Sequence, residues 1–142
     1  MAPIHYASKY GNLQVVQWLW ASQNESLLHF NKRKWNSLHY SCWSGHVDVT
    51  EFLLNNGIDS NSKSDNKETP MMLASFLGND DTLNILIRYG ANIQGEEKKP
   101  LYWASKGGHL STVKLLVENG ANIDDFEESN VFPNETPLMV AS

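Results

Sequence analysis

The chain has 142 residues, 41% of them hydrophobic and 19% charged, which is enough for one packed domain and too apolar for a disordered segment. Eleven Lys and Arg against 16 Asp and Glu leave a net charge of -5, so a phosphate backbone meets no overall attraction. The single cysteine, Cys42, excludes an internal disulfide and fits a reducing compartment, and no apolar run nears the roughly 18 residues that span a bilayer.

The N-terminus lacks a basic stretch followed by an apolar one, so the chain reads as soluble and untargeted. Similar segments recur along it: Pro3–Ala7, Ser37–Ser41, Pro70–Ala74, Pro100–Ala104 and Pro137–Ala141 start at intervals of 34, 33, 30 and 37. The small residue that closes each of the first four is followed four positions later by Gly11, Gly45, Gly78 and Gly108. Twelve positions further on stand Gly57, Gly90 and Gly120, with Gln23 in the first repeat.

Between the two glycines the apolar residues fall at helical spacing: Val15, Val16 and Leu19, then Val49, Phe52 and Leu53, Leu83, Leu86 and Ile87, and Val113, Leu116 and Val117. Each repeat is therefore two short helices, closed by glycines that take a left-handed turn at little cost. The expected pairs are 3–22, 37–56, 70–89 and 100–119, with a lone helix from Pro137. Proline opens helices where its missing N–H is not needed. Asn36, Thr69 and Thr136 can cap the starts that follow them, whereas Ala2 and Lys99 cannot, so those two starts should fray more.

At these residues the chain resembles a known family, the ankyrin repeats. The family pattern Thr-Pro-Leu-His-x-Ala, then Gly-His, then Leu-Leu-x-x-Gly-Ala is matched by Leu38-His39, Gly45-His46, Leu53-Leu54 and Gly57. It is matched again by Pro100-Leu101, Gly108-His109, Leu115-Leu116 and Gly120-Ala121-Asn122. The resemblance implies an all-α solenoid of helix-turn-helix units with β-hairpin-like fingers, about four repeats plus a partial fifth. As one domain over 1–142, the repeats fall at 1–31, 32–64, 65–95, 96–129 and a partial 130–142. A terminal repeat ordinarily shows a polar outer face, and neither end reads that way, so we expect a piece of a longer protein or a stack completed by another chain.

No cofactor, metal site or catalytic group is expected. His5, His29, His39, His46 and His109 have no metal-binding spacing, and equivalent positions of adjacent repeats lie roughly 10 Å apart, too far to share an ion. In the resembled family the motif position of His5 and His39 and the Gly-His position of His46 and His109 make structural hydrogen bonds. Cys42, between Ser41 and Trp43, has no neighbouring base and reads as a packed thiol. Gly107-Gly108 lacks the surroundings of a phosphate loop.

The resemblance implies binding of another protein or peptide segment in the concave groove, with no nucleic acid, membrane insertion or small-molecule substrate. The two residues before the first glycine would face that groove: Lys9-Tyr10, Trp43-Ser44, Phe76-Leu77 and Lys106-Gly107. The expected binding residues are thus Lys9, Tyr10, Trp43, Phe76, Leu77 and Lys106, with Trp35 added from a finger, since rigid aromatics dominate interface energetics. The alternative for the rings is packing between repeats, as expected for Trp18, Trp20 and Trp103.

Charge and finger length vary along the stack. Residues 1–70 hold six basic and six acidic side chains, whereas residues 71–142 hold five and ten. Asp124, Asp125, Glu127, Glu128 and Glu135 concentrate that excess, and the run Lys32-Arg33-Lys34 reads as a solvated finger tip. The interval to the next motif proline is longest after Gly120, shorter after Gly57 and shortest after Gly90. That order predicts a protruding finger over Asp124–Glu135 and a short one over Gln94–Lys99. Two further readings stay open. The chain is the recognition arm of a larger enzyme, ligase adaptor or channel, or it is itself a substrate, since Asn61 holds the finger position that asparaginyl hydroxylases modify in some ankyrin proteins.

Overall fold

The computed structural model describes residues 2–22, 30–95 and 99–123. Eight helices form four pairs among them: α1 (Pro3–Lys9) with α2 (Leu13–Ser22), α3 (Ser37–Ser44) with α4 (Val47–Asn55), α5 (Pro70–Leu77) with α6 (Asp80–Arg88), and α7 (Pro100–Lys106) with α8 (Leu110–Glu118). The helix expected from Pro137, its cap Thr136 and the acidic segment Asp124–Glu135 lie outside the described residues.

The caps follow the side chains available. Asn36 Oδ1 accepts from the His39 N–H at 3.0 Å, and Thr69 Oγ1 accepts from the Met72 N–H at 3.2 Å. Ala2 and Lys99 open α1 and α7 with no side-chain cap bond. Gly45 and Gly78 close α3 and α5 in the left-handed region, at φ 75° and 72°.

First helices stack on first helices and second on second, and the first-helix layer is the more closely packed. The stack therefore curves with α1, α3, α5 and α7 on its inner side. The core between the layers includes Leu38, Leu53, Met71, Leu83, Leu86 and Leu116, each at most 1% exposed. Each such side chain contributes about 1.5–3 kcal/mol by leaving water.

The fingers are hydrogen-bonded turns, and no strand occurs among the described residues. In one, the Asn31 N–H donates to the Trp35 carbonyl at 2.9 Å; in the next, the Ser64 N–H donates to the Glu68 carbonyl at 3.0 Å. The Asp65 N–H donates to the Arg33 carbonyl at 2.9 Å and ties the two fingers together.

Two sequence expectations fail at the first repeat. Trp18 is 67% exposed rather than core, and Val15, expected on the apolar face of α2, is 41% exposed. Val15 holds the position in its repeat that Val49 holds in the next. Val49 is fully buried where the second repeat meets the first, while Val15 faces the side of α1 and α2 that no described residue covers. Trp20 and Trp103, also expected in the core, are partly buried and pack against it.

Because each repeat is held by its neighbours, amide exchange should be slowest in residues 48–89 and faster in α1 and α8. Equal protection of all eight helices, read by hydrogen exchange with mass spectrometry, would contradict this.

Candidate protein-binding groove

Trp43 lies in the last turn of α3 and Phe76 in the last turn of α5, at the same register of successive repeats. Their rings are parallel within 5°, with centroids 6.3 Å apart. Trp35, from the finger before α3, meets Trp43 edge-on at 5.9 Å, and Trp103 of α7 meets Phe76 edge-on at 5.7 Å. Trp35, Trp43, Phe76 and Trp103 thus make one continuous row across three repeats on the inner layer. Trp43 is 38% exposed, and the other three rings are half-buried.

The far end of the row is cationic. Lys106 Nζ stands over the Trp103 ring at 5.2 Å and the Tyr102 ring at 5.8 Å, a placement the ring quadrupoles favour. At the other end Lys9 Nζ lies over Tyr10, at 5.4 Å. Tyr10, 69% exposed, does not join the row; with Tyr6, Pro3 and Val15 it lines an apolar hollow of about 470 Å³ at the N-terminal side of the stack. Leu77 is half-buried at the end of α5, outside the ring contacts.

Hydrogen bonds between repeats fix this surface. Trp35 Nε1 donates to Glu68 Oε1 at 3.0 Å, and Ser64 Oγ donates to the same oxygen at 2.9 Å. His39, fully buried, accepts from the Asn36 N–H on Nδ1 at 3.2 Å and donates from Nε2 to the Glu68 carbonyl at 3.0 Å. Both ring nitrogens are satisfied by a neutral imidazole, and burial pushes its pKa below the ordinary 6.5 against the opposing pull of Glu68. His46 Nε2 donates to the Lys9 carbonyl at 3.0 Å, and one repeat on Asn79 Nδ2 donates to the Cys42 carbonyl at 3.2 Å. A Cβ at Gly107 would collide with the Phe76 carbonyl oxygen, so only glycine lets α7 close on α5 there.

Asn61 and Gln94 play one role in successive repeats. Asn61 Oδ1 accepts from the Asn92 N–H at 2.7 Å and Nδ2 donates to the Gly90 carbonyl at 3.4 Å. Gln94 bridges the Asn122 N–H and the Gly120 carbonyl likewise. Burial pushes the Cys42 thiol up to about 12, so it is no thiolate at neutral pH. Among the described residues no group of three or more His, Cys, Asp or Glu could hold a metal ion, and no helix is long and apolar enough to cross a membrane.

The family model for ankyrin repeats in three copies matches residues 1–64 and 59–127. The chain belongs to the ankyrin-repeat family. The human ASB11 ankyrin repeat domain superposes on this ankyrin-repeat chain with a TM-score of 0.88 and 31% identity, covering 99% of this chain and 62% of that one. A transient receptor potential cation channel subfamily A member 1 homolog of Caenorhabditis elegans is 31% identical over 91 residues, 64% of this chain and 8% of the channel. This chain thus spans less than two thirds of either. Ankyrin-repeat domains are in general non-catalytic protein-interaction modules.

Trp103 was not legible as part of the groove. It lies one helical turn earlier in its repeat than Trp43 and Phe76 do in theirs, a position filled by Leu73 in the third repeat. Its ring reaches back to the row because Gly107 lets α7 approach α5.

Proposed function

We propose that this ankyrin-repeat protein binds a partner protein through the inner face, without catalysis, with Trp35, Trp43 and Phe76 as apolar anchors and Lys9 and Lys106 at the ends. The observation that carries this is the row of four aromatic rings, held by one another and by Glu68 while still open to solvent. The groove is preformed, so burying apolar area on it costs this side little ordering. Tyr10 and Leu77 belong to the neighbouring surface. We place the activity in the cytoplasm, with the nucleus open to it, on the single reduced cysteine. A second reading, a recognition arm of a larger enzyme, ligase adaptor or channel, rests on the chain's likeness to a part of the ASB11 domain and of a channel homolog.

The test is an affinity pull-down with the wild-type protein and with Trp43→Ala, read by quantitative mass spectrometry. Partners that bind wild type and are depleted with the variant support the reading. A set retained equally by both overturns it.

A further inference from the structure

Charge is unevenly distributed over the described part of the stack. Among the described residues, the first helices and the segments joining one pair to the next carry eight basic against three acidic side chains, +5, while the second helices carry two basic against five acidic, -3. Outside the described residues the joining segments add one basic and eight acidic side chains, so the positive sign belongs to the described inner face around the first fingers and not to the whole layer. At physiological salt a charge is felt over about 8 Å, so a ligand in the groove meets the local sign rather than the total.

The finger lysines sit at the head of the aromatic row. Lys34 immediately precedes Trp35, and Lys67 precedes Glu68, which accepts from the Trp35 indole N–H. Both are exposed and occupy the left-handed region, at φ 60° and 64°. That region suits glycine or asparagine and strains a lysine. Two successive fingers therefore hold a cation at the same position, where the backbone favours another residue. The Lys34–Asp65 pair at 3.8 Å is too exposed to account for the choice, with 68% and 50% of the side chains accessible.

We propose that the groove takes an acidic peptide segment, its apolar side chains on Trp43 and Phe76 and its carboxylates on Lys34, Lys67 and Lys106. This rests on the protein-binding reading above and adds the chemistry of the partner. A single-stranded nucleic acid also has negative charge and flat apolar groups, but bases bind by stacking on open ring faces, and the rings of this row are packed against one another.

The test uses fluorescence anisotropy on the full chain with three labelled probes: a peptide of Glu-Leu-Glu-Phe repeats, the same peptide with Lys for Glu, and oligothymidine. The Glu peptide should bind, more weakly as salt rises. The Lys34→Gly, Lys67→Gly double variant should bind it about tenfold more weakly while melting at the same temperature or higher, because glycine relieves the backbone. Equal binding of the Lys peptide, tighter binding of oligothymidine, unchanged affinity of the double variant or no binding of the Glu peptide each overturns the proposal. If the pull-down still depends on Trp43 in those cases, only the acidic character of the partner falls.

Discussion

Replacing His39 with alanine should destabilise the protein by about 4 kcal/mol, the largest single loss expected. The imidazole is fully buried and stacks on Trp35 at a centroid distance of 5.8 Å. Its removal orphans the Asn36 N–H at the start of α3 and leaves the Glu68 carbonyl of the next finger with the Ser64 N–H alone. The unsatisfied N–H costs about 1–3 kcal/mol, and the lost bond between repeats and the vacated volume add to that. Denaturant melts at neutral pH measure the loss directly, and a loss below about 1.5 kcal/mol would contradict the role given to His39.

The same residue gives the stability a pH dependence of known sign. Its native pKa lies below the ordinary 6.5, so as pH falls through about 6.5 the unfolded chain takes up a proton that the native state refuses. The contribution is full above that value, declines as pH falls, and levels off below the lowered native pKa. Melting temperature should thus fall more steeply toward acid for wild type than for His39→Gln, which keeps a polar amide but does not titrate. Parallel profiles would show that His39 is not protected from protonation.

Gly78→Ala should cost about 3 kcal/mol, from two sources that a second substitution separates. At φ 72° a side chain strains the backbone by about 1–2 kcal/mol. The new Cβ would also lie 2.6 Å from Cγ and Nδ1 of His109, the residue that opens α8, so the ring cannot retreat without moving the start of that helix. Gly90→Ala shares the positive φ, at 83°, but its Cβ would meet nothing within 4 Å, so it should lose only the backbone part. Urea melts of the two variants give the overlap as their difference. Equal losses would mean that the contact between the third and fourth repeats is looser than the geometry shows.

The helix pairs were legible because glycine, proline and apolar residues recur at a near-constant interval and each has a local reason for its place. Asn36 and Thr69 announce their helices as caps, and Gly45 and Gly78 end theirs. What the register does not carry is the difference between a repeat with neighbours on both sides and one without. Val15 and Trp18 keep the spacing of buried residues, yet they are exposed because burial there is supplied by the adjoining repeat rather than by their own helix. The groove was legible in Trp43 and Phe76, whose equal positions in successive repeats bring the rings together. Trp103 and Glu68 were not, because their part depends on contacts between repeats: a ring reaching back over Phe76 and a carboxylate receiving the Trp35 N–H.

Trp43→Ala tests the groove most directly when melting and binding are measured on one preparation. A ring 38% exposed at the end of α3 supports little of the core, so the variant should lose only about 1 kcal/mol of stability. As an interface anchor it should weaken binding of the strongest Trp43-dependent partner by about 2 kcal/mol or more, roughly thirtyfold in Kd by isothermal titration calorimetry. Trp35→Ala serves as the finger control. A stability loss of about 3–5 kcal/mol with unchanged affinity would make Trp43 a packing residue between repeats and contradict its role as an anchor.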